Sequence, residues 1–183
     1  AYDRSRRDGI IAINLRDNDE LISVRRVRDG EKVMMVSTAG KAIKWDEAEA
    51  AARKAIAIDR RDPWAHHAVA HCLEARGRMQ EGVAFLEEMS DTWEGCNSFM
   101  YTHLWWHLAL FLIDLDRTDE ALELYDRRVW GVWKEFSEDQ INAVSLLARL
   151  ELRGVDVGDR WADVAIYLKP RLHEHFSPFL DLQ

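Results

Sequence analysis

The chain has 183 residues and only two cysteines, Cys72 and Cys96. Two thiols so placed match neither a metal-ligand spacing nor a disulfide framework, so a reduced, cytoplasmic setting is the simplest expectation. No apolar run reaches the roughly 18 residues of a membrane span, and the charged N-terminal stretch has no hydrophobic segment of the secretion type. A membrane partner is therefore not expected. There is no P-loop, nucleophile elbow, Cys–His pair or paired-carboxylate motif. That leaves no reaction to read directly, and a binding module without a cofactor is expected ahead of an enzyme.

Charge of one sign is also missing where a nucleic-acid binder would carry it, since the net charge is −8. The balance is uneven. Residues 1–45 hold ten Lys/Arg against seven Asp/Glu, and the rest holds fifteen against twenty-six. Two pieces of different character follow, 1–45 and 46–183. What the chain has in plenty is tryptophan, eight residues, within a 48% hydrophobic composition. Such a count implies well-filled contacts or an aromatic binding surface.

The stretch Thr102–Arg128 reads as two antiparallel helices. Trp105, Leu108, Ala109 and Leu112 lie at helical spacing, Leu115-Asp116-Arg117 turns, and Ala121, Tyr125 and Arg128 follow. A small residue facing Leu-Ala, with an aromatic one turn on, is the tetratricopeptide pattern. Ala48 and Gly82 stand 34 residues apart, the period of that repeat, whereas Gly82 to Ala121 is 39. The excess is expected within Ser90–Met100. Helices are expected near 46–58, 63–76, 79–89, 100–115, 118–128, 138–153 and 159–173. Pro63 should open one of them, Ser137 should cap another with Gln140 as its capping-box partner, and Gly154 should end it.

Residues 9–45 differ. Beta-rich runs alternate with Asp17-Asn18-Asp19, Asp29-Gly30 and Ala39-Gly40, which read as turns. A four-stranded antiparallel β-meander is expected. The fold class is therefore mainly α, a tetratricopeptide-like α-solenoid preceded by that meander.

Two resemblances attach to these pieces. GIIAINLRDNDELISVRRVRDGEKVMMVSTAGKAIKW resembles one blade of the C-terminal β-pinwheel of the DNA gyrase A subunit, over residues 2–45. In that family several blades form a ring that wraps DNA, so the resemblance implies DNA contact. One blade makes few phosphate contacts, so that contact should be weak. Arg25, Arg26 and Arg28 are the nucleic-acid candidates, and a charge-protected strand edge is the plainer reading of them. The segments DPWAHHAVAHCLEARGRMQEGVAFLEE, HLWWHLALFLIDLDRTDEALELYD and GDRWADVAIYLKPRL resemble the tetratricopeptide repeat protein 38 family, over residues 46–183. That resemblance implies an architecture more than an activity. The chain thus reads as a junction of two partial modules, joined by natural fusion or by gene assembly, the helical one expected to be incomplete at both ends.

Counting helix register from Pro63 and Thr102 places Trp64, His67, His71, Glu74, His103 and Trp106 on a groove-lining face. A peptide, protein or small ligand is the expected occupant. His67 and His71 are one turn apart on one face, and a third imidazole from His103 would complete a three-His zinc set, with Glu74 as base or fourth ligand. The plainer reading puts these rings along the groove wall, several ångströms apart, each bonded to its own neighbour. His66 and His107 are expected in the repeat core, as packing residues with a buried hydrogen bond. Groove binding is the leading expectation, with DNA contact through the blade and a metal-dependent enzyme as alternatives.

Overall fold

The computed structural model describes residues 34–36, 42–171 and 173, with side chains from Trp45 onward. The chain divides into two compact units, Ala1–Val33 and Met34–Gln183, and every described residue belongs to the second.

β1 (Met34–Val36) pairs antiparallel with β2 (Ala42–Lys44), with Met35 opposite Ile43. The expected four-stranded meander is not supported. Among the described residues there is this single pair of three-residue strands, and everything after Lys44 is helix or turn. The segments expected as the first two strands, and Arg25, Arg26 and Arg28, lie outside the described residues.

The mainly helical expectation holds. α1 (Trp45–Ile58), α2 (Pro63–Ala75), α3 (Met79–Met89), α4 (Ser98–Asp114), α5 (Thr118–Leu124), α6 (Ser137–Leu152) and α7 (Arg160–Leu168) follow in order. Local chemistry sets most boundaries. Asp62 caps α2, its carboxylate accepting from the backbone N–H groups of Trp64 (3.0 Å) and Ala65 (3.2 Å), while Pro63 occupies the first turn. The turn after α2 uses Gly77 at φ +69°, and the turn after α6 uses Gly154 at φ +81°, both left-handed. α6 starts differently from the capping-box expectation. Ser137 is its first helical residue rather than its cap, and its hydroxyl accepts from Arg171, while Gln140 donates to the Lys134 carbonyl.

The packing explains the small residues. Ala109 and Ala121 are fully buried, and Tyr125 beside them is 1% exposed, so α5 sits close against α4. Gly82 on α3 faces the Phe111 ring of α4 so closely that a Cβ there would lie 2.5–2.6 Å from three ring carbons. The extra residues between α3 and α4 form a 3-10 turn, Ser90–Gly95, which inserts Trp93 into the core instead of looping outward. After Leu124 the backbone widens into a π-turn, Tyr125–Val129. Glu49 is 7% exposed and accepts from Arg53 (2.8 Å) and Arg78 (2.7 Å), which ties α1 to the start of α3. Among the described residues no helix is long and apolar enough to cross a membrane.

Candidate metal centre

The site is made by two helices, each contributing histidines one turn apart. A helix turn of 3.6 residues brings i and i+4 to one face. α2 thereby presents His67 and His71, and α4 presents His103 and His107, and the two faces meet. His67 Nε2 lies 2.9 Å from His71 Nε2 and 3.1 Å from His103 Nε2. The His107 ring sits 4.5–5.0 Å, centroid to centroid, from the other three. One nitrogen from each of the four falls within 4.8 Å of the others.

This geometry corrects two expectations. The rings do not lie spread along a groove wall with separate partners; they converge on one point. His107 is not a packing residue with its own hydrogen bond. It is 1% exposed, and neither of its ring nitrogens has a hydrogen-bond partner. His66 does behave as a core residue. Its Nε2–H donates to the Arg60 carbonyl (2.9 Å) and its Nδ1 accepts from the Trp93 indole N–H (3.2 Å), which fixes one tautomer.

The neighbours of the cluster are aromatic and polar in separate places. His103 is sandwiched between Phe99 and Trp106, with ring centroids 4.9 and 5.1 Å away and nearly parallel planes. Trp106 is partly buried and its indole N–H has no partner. Trp64 is 58% exposed and meets His67 edge-on at 5.8 Å, at the outer rim. On the inner side Glu74 Oε2 stands 3.9 Å from His71 Nδ1 and 3.9 Å from His107 Nδ1. Sequence reasoning missed the Asn142 contact: its Oδ1 is 2.9 Å from His103 Nδ1. It also missed Asp139, which accepts from Thr102 (2.9 Å) and from Ser98. Both are buried polar residues of α6.

Burial dominates the electrostatics. It pushes the His67 imidazole down to about 3, helped by the like charge that His71 and His103 would carry. Burial likewise drives His107 well below the ordinary histidine range, and it lowers His71 and His103. The Glu74 carboxyl is pushed up, first by burial and then by Asp114. The four rings are therefore neutral at neutral pH, the protonation state a metal ligand requires.

A neutral ring nitrogen offers one in-plane position, filled by either a proton or a lone pair. His67 Nε2 can thus satisfy one of its two close neighbours and never both. A cation among the rings would accept a lone pair from each. In a tetrahedral zinc site with Zn–N near 2.0–2.1 Å, ligand nitrogens stand about 3.3 Å apart. The observed separations of 2.9 and 3.1 Å approach that spacing.

No family model matches the chain. Local similarity links it to the DNA gyrase A subunits of several bacteria. The chain is 42% identical to that of Clostridium acetobutylicum over 48 residues, 26% of this chain and 6% of the gyrase polypeptide. It is 38% identical to that of Mycobacterium tuberculosis over 52 residues, 28% of this chain and 6% of the relative. With that of Salmonella typhimurium it shares 46% identity over 46 residues, 25% of this chain and 5% of the relative. The chain spans about 6% of the length of these relatives, and the matches support the gyrase-like segment read from the sequence.

Proposed function

We propose that this chain is a helical-repeat interaction module whose α2 and α4 are clasped by a zinc-class ion held by His67, His71, His103 and His107. The observation that carries the reading is the pair of short contacts that His67 Nε2 makes with Nε2 of His71 and of His103, beside a buried His107 whose ring nitrogens have no hydrogen-bond partner. Imidazole donors suit zinc and its transition-metal neighbours and do not suit calcium or magnesium, which take oxygen. Four protein ligands close a tetrahedron and leave no position for substrate, so the ion is structural rather than catalytic. Peptide or small-ligand binding then falls to the exposed Trp64 at the rim, because the imidazole nitrogens point at one another instead of outward. The alternation of paired helices from α2 to α5 fits the tetratricopeptide reading.

The test is elemental analysis of untagged protein, stripped with chelator, reconstituted with zinc and desalted. One zinc per chain is expected, falling to near zero in His71→Ala and His107→Ala. A reconstituted wild-type protein with less than about a tenth of an equivalent would refute the reading.

A second reading concerns the N-terminal segment. Its local match to the DNA gyrase A subunit favours weak duplex DNA contact through Arg25, Arg26 and Arg28. Gel shifts at low and moderate salt test it. A shift that fades steeply with salt, and that disappears when the three arginines become alanine, is expected. No shift at low salt would exclude it.

A further inference from the structure

We infer that Asn142 and Glu74 are the positioning residues of the four-histidine site, holding protons on Nδ1 of His103, His71 and His107 so that Nε2 is the ligating atom of each. This rests on the metal reading above.

Asp139, 1% exposed on α6, anchors a run of hydrogen bonds that ends at His103. Thr102 Oγ1 has one proton, and its acceptors are Asp139 Oδ1 at 2.9 Å and the Phe99 carbonyl at 3.1 Å. Either choice leaves the Thr102 oxygen free to accept, which it does from Asn142 Nδ2 at 3.2 Å. That contact decides which end of the Asn142 amide is nitrogen. Its Oδ1 must then face His103 Nδ1, at 2.9 Å. An amide oxygen only accepts, so Nδ1 of His103 carries the proton. The lone pair is left on Nε2, which faces His67.

Glu74 is placed to do the same for two rings at once. A carboxylate is acceptor-only, and a single oxygen stands 3.9 Å from Nδ1 of both His71 and His107. That distance is too long for a hydrogen bond. A shift of about 1 Å of the Glu74 carboxylate would bring both within reach. The carboxylate also offsets half of the charge a divalent ion would bring among the rings. Ring nitrogens of metal-bound histidines are held in this way by carboxylates and carbonyls, and loss of such a partner weakens binding about 10–100-fold.

Two measurements test this. Zinc affinity is taken by competition with a chromophoric chelator for wild type, Asn142→Ala, Glu74→Gln and the remote control Glu120→Gln. Long-range proton–nitrogen NMR of the imidazoles in metal-free wild type reports each tautomer. Affinity about 10–100-fold weaker in Asn142→Ala and Glu74→Gln is expected, with Glu120→Gln unchanged and His103 protonated on Nδ1. Wild-type binding with both site variants within twofold of it would overturn the inference, as would His103 protonated on Nε2. Absence of zinc binding in wild type would sink the metal reading itself, and the tautomer of His103 would still decide the role of Asn142, even if Asn142→Ala fails to fold.

Discussion

Gly82→Ala changes one hydrogen into a methyl group, and the structure says where the methyl goes. Its carbon would sit 2.5 Å from Phe111 Cζ and 2.6 Å from both Cε atoms. Ordinary carbon contacts begin near 3.5 Å, so the ring or the whole of α3 must retreat by about 1 Å. Phe111 is 1% exposed and cannot swing into solvent. Overpacking of this kind costs about 1–3 kcal/mol. The better helix propensity of alanine returns about 0.8–1 kcal/mol. A net loss of up to about 2 kcal/mol follows from those two terms. For a chain of this size that lowers the thermal midpoint by up to about 8 °C. Urea unfolding followed by far-UV circular dichroism measures the loss directly. Phe111→Leu should be destabilising alone, yet the double variant should be less destabilised than the two single losses combined. Additive changes in the pair would show that the α3–α4 contact is not set by this ring.

Further outcomes are expected elsewhere. His66→Leu removes both hydrogen bonds of His66 and leaves the Trp93 N–H and the Arg60 carbonyl without partners, costing about 2–4 kcal/mol; zinc content measured on the folded fraction should stay unchanged. In metal-free protein the buried histidines bind fewer protons folded than unfolded, with His67 near 3 against an ordinary 6.5. Stability is therefore full above about pH 6.5 and falls as pH drops toward 3. Urea midpoints should decline steadily from about pH 7 to pH 4.5, and a flat profile would contradict neutral folded-state rings. Saturating zinc at about 100 times its dissociation constant should add about 2.7 kcal/mol to unfolding, and His107→Ala should abolish that gain in the same melt.

Helix positions are legible in the sequence because the relevant signals are local. Asp62-Pro63, Gly77 and Gly154 mark their boundaries by capping and left-handed turns, and Gly82, Ala109 and Ala121 mark close approach by their size. The four-histidine site is only half legible. Helical register places His67, His71 and His103 together on one face, but it puts His107 in the core as a packing residue. Both placements assume that groove and core are separate, whereas here the four-histidine cluster lies between α2 and α4. The signal that reveals it is the repetition of a histidine pair, one turn apart, on two successive first helices. Asn142 and Asp139 leave no such trace. On α6 the apolar Leu152 is 81% exposed, while Asp139, Gln140, Asn142 and Ser145 are buried. A helix covered on several sides shows no single hydrophobic face, so periodicity misplaces its buried positions.

His67 and His103 are 36 residues apart, and His71 and His107 share that interval. Continued once more, it reaches Asp139 and Ala143 on α6. A ladder of imidazoles climbing from helix to helix would hold a row of ions. Here the third rung is written in other letters: a carboxylate occupied by Thr102 and Ser98, and an alanine with no exposed surface. An imidazole at Ala143 would have no room to enter. The histidine interval thus joins α2 to α4 and stops before α6.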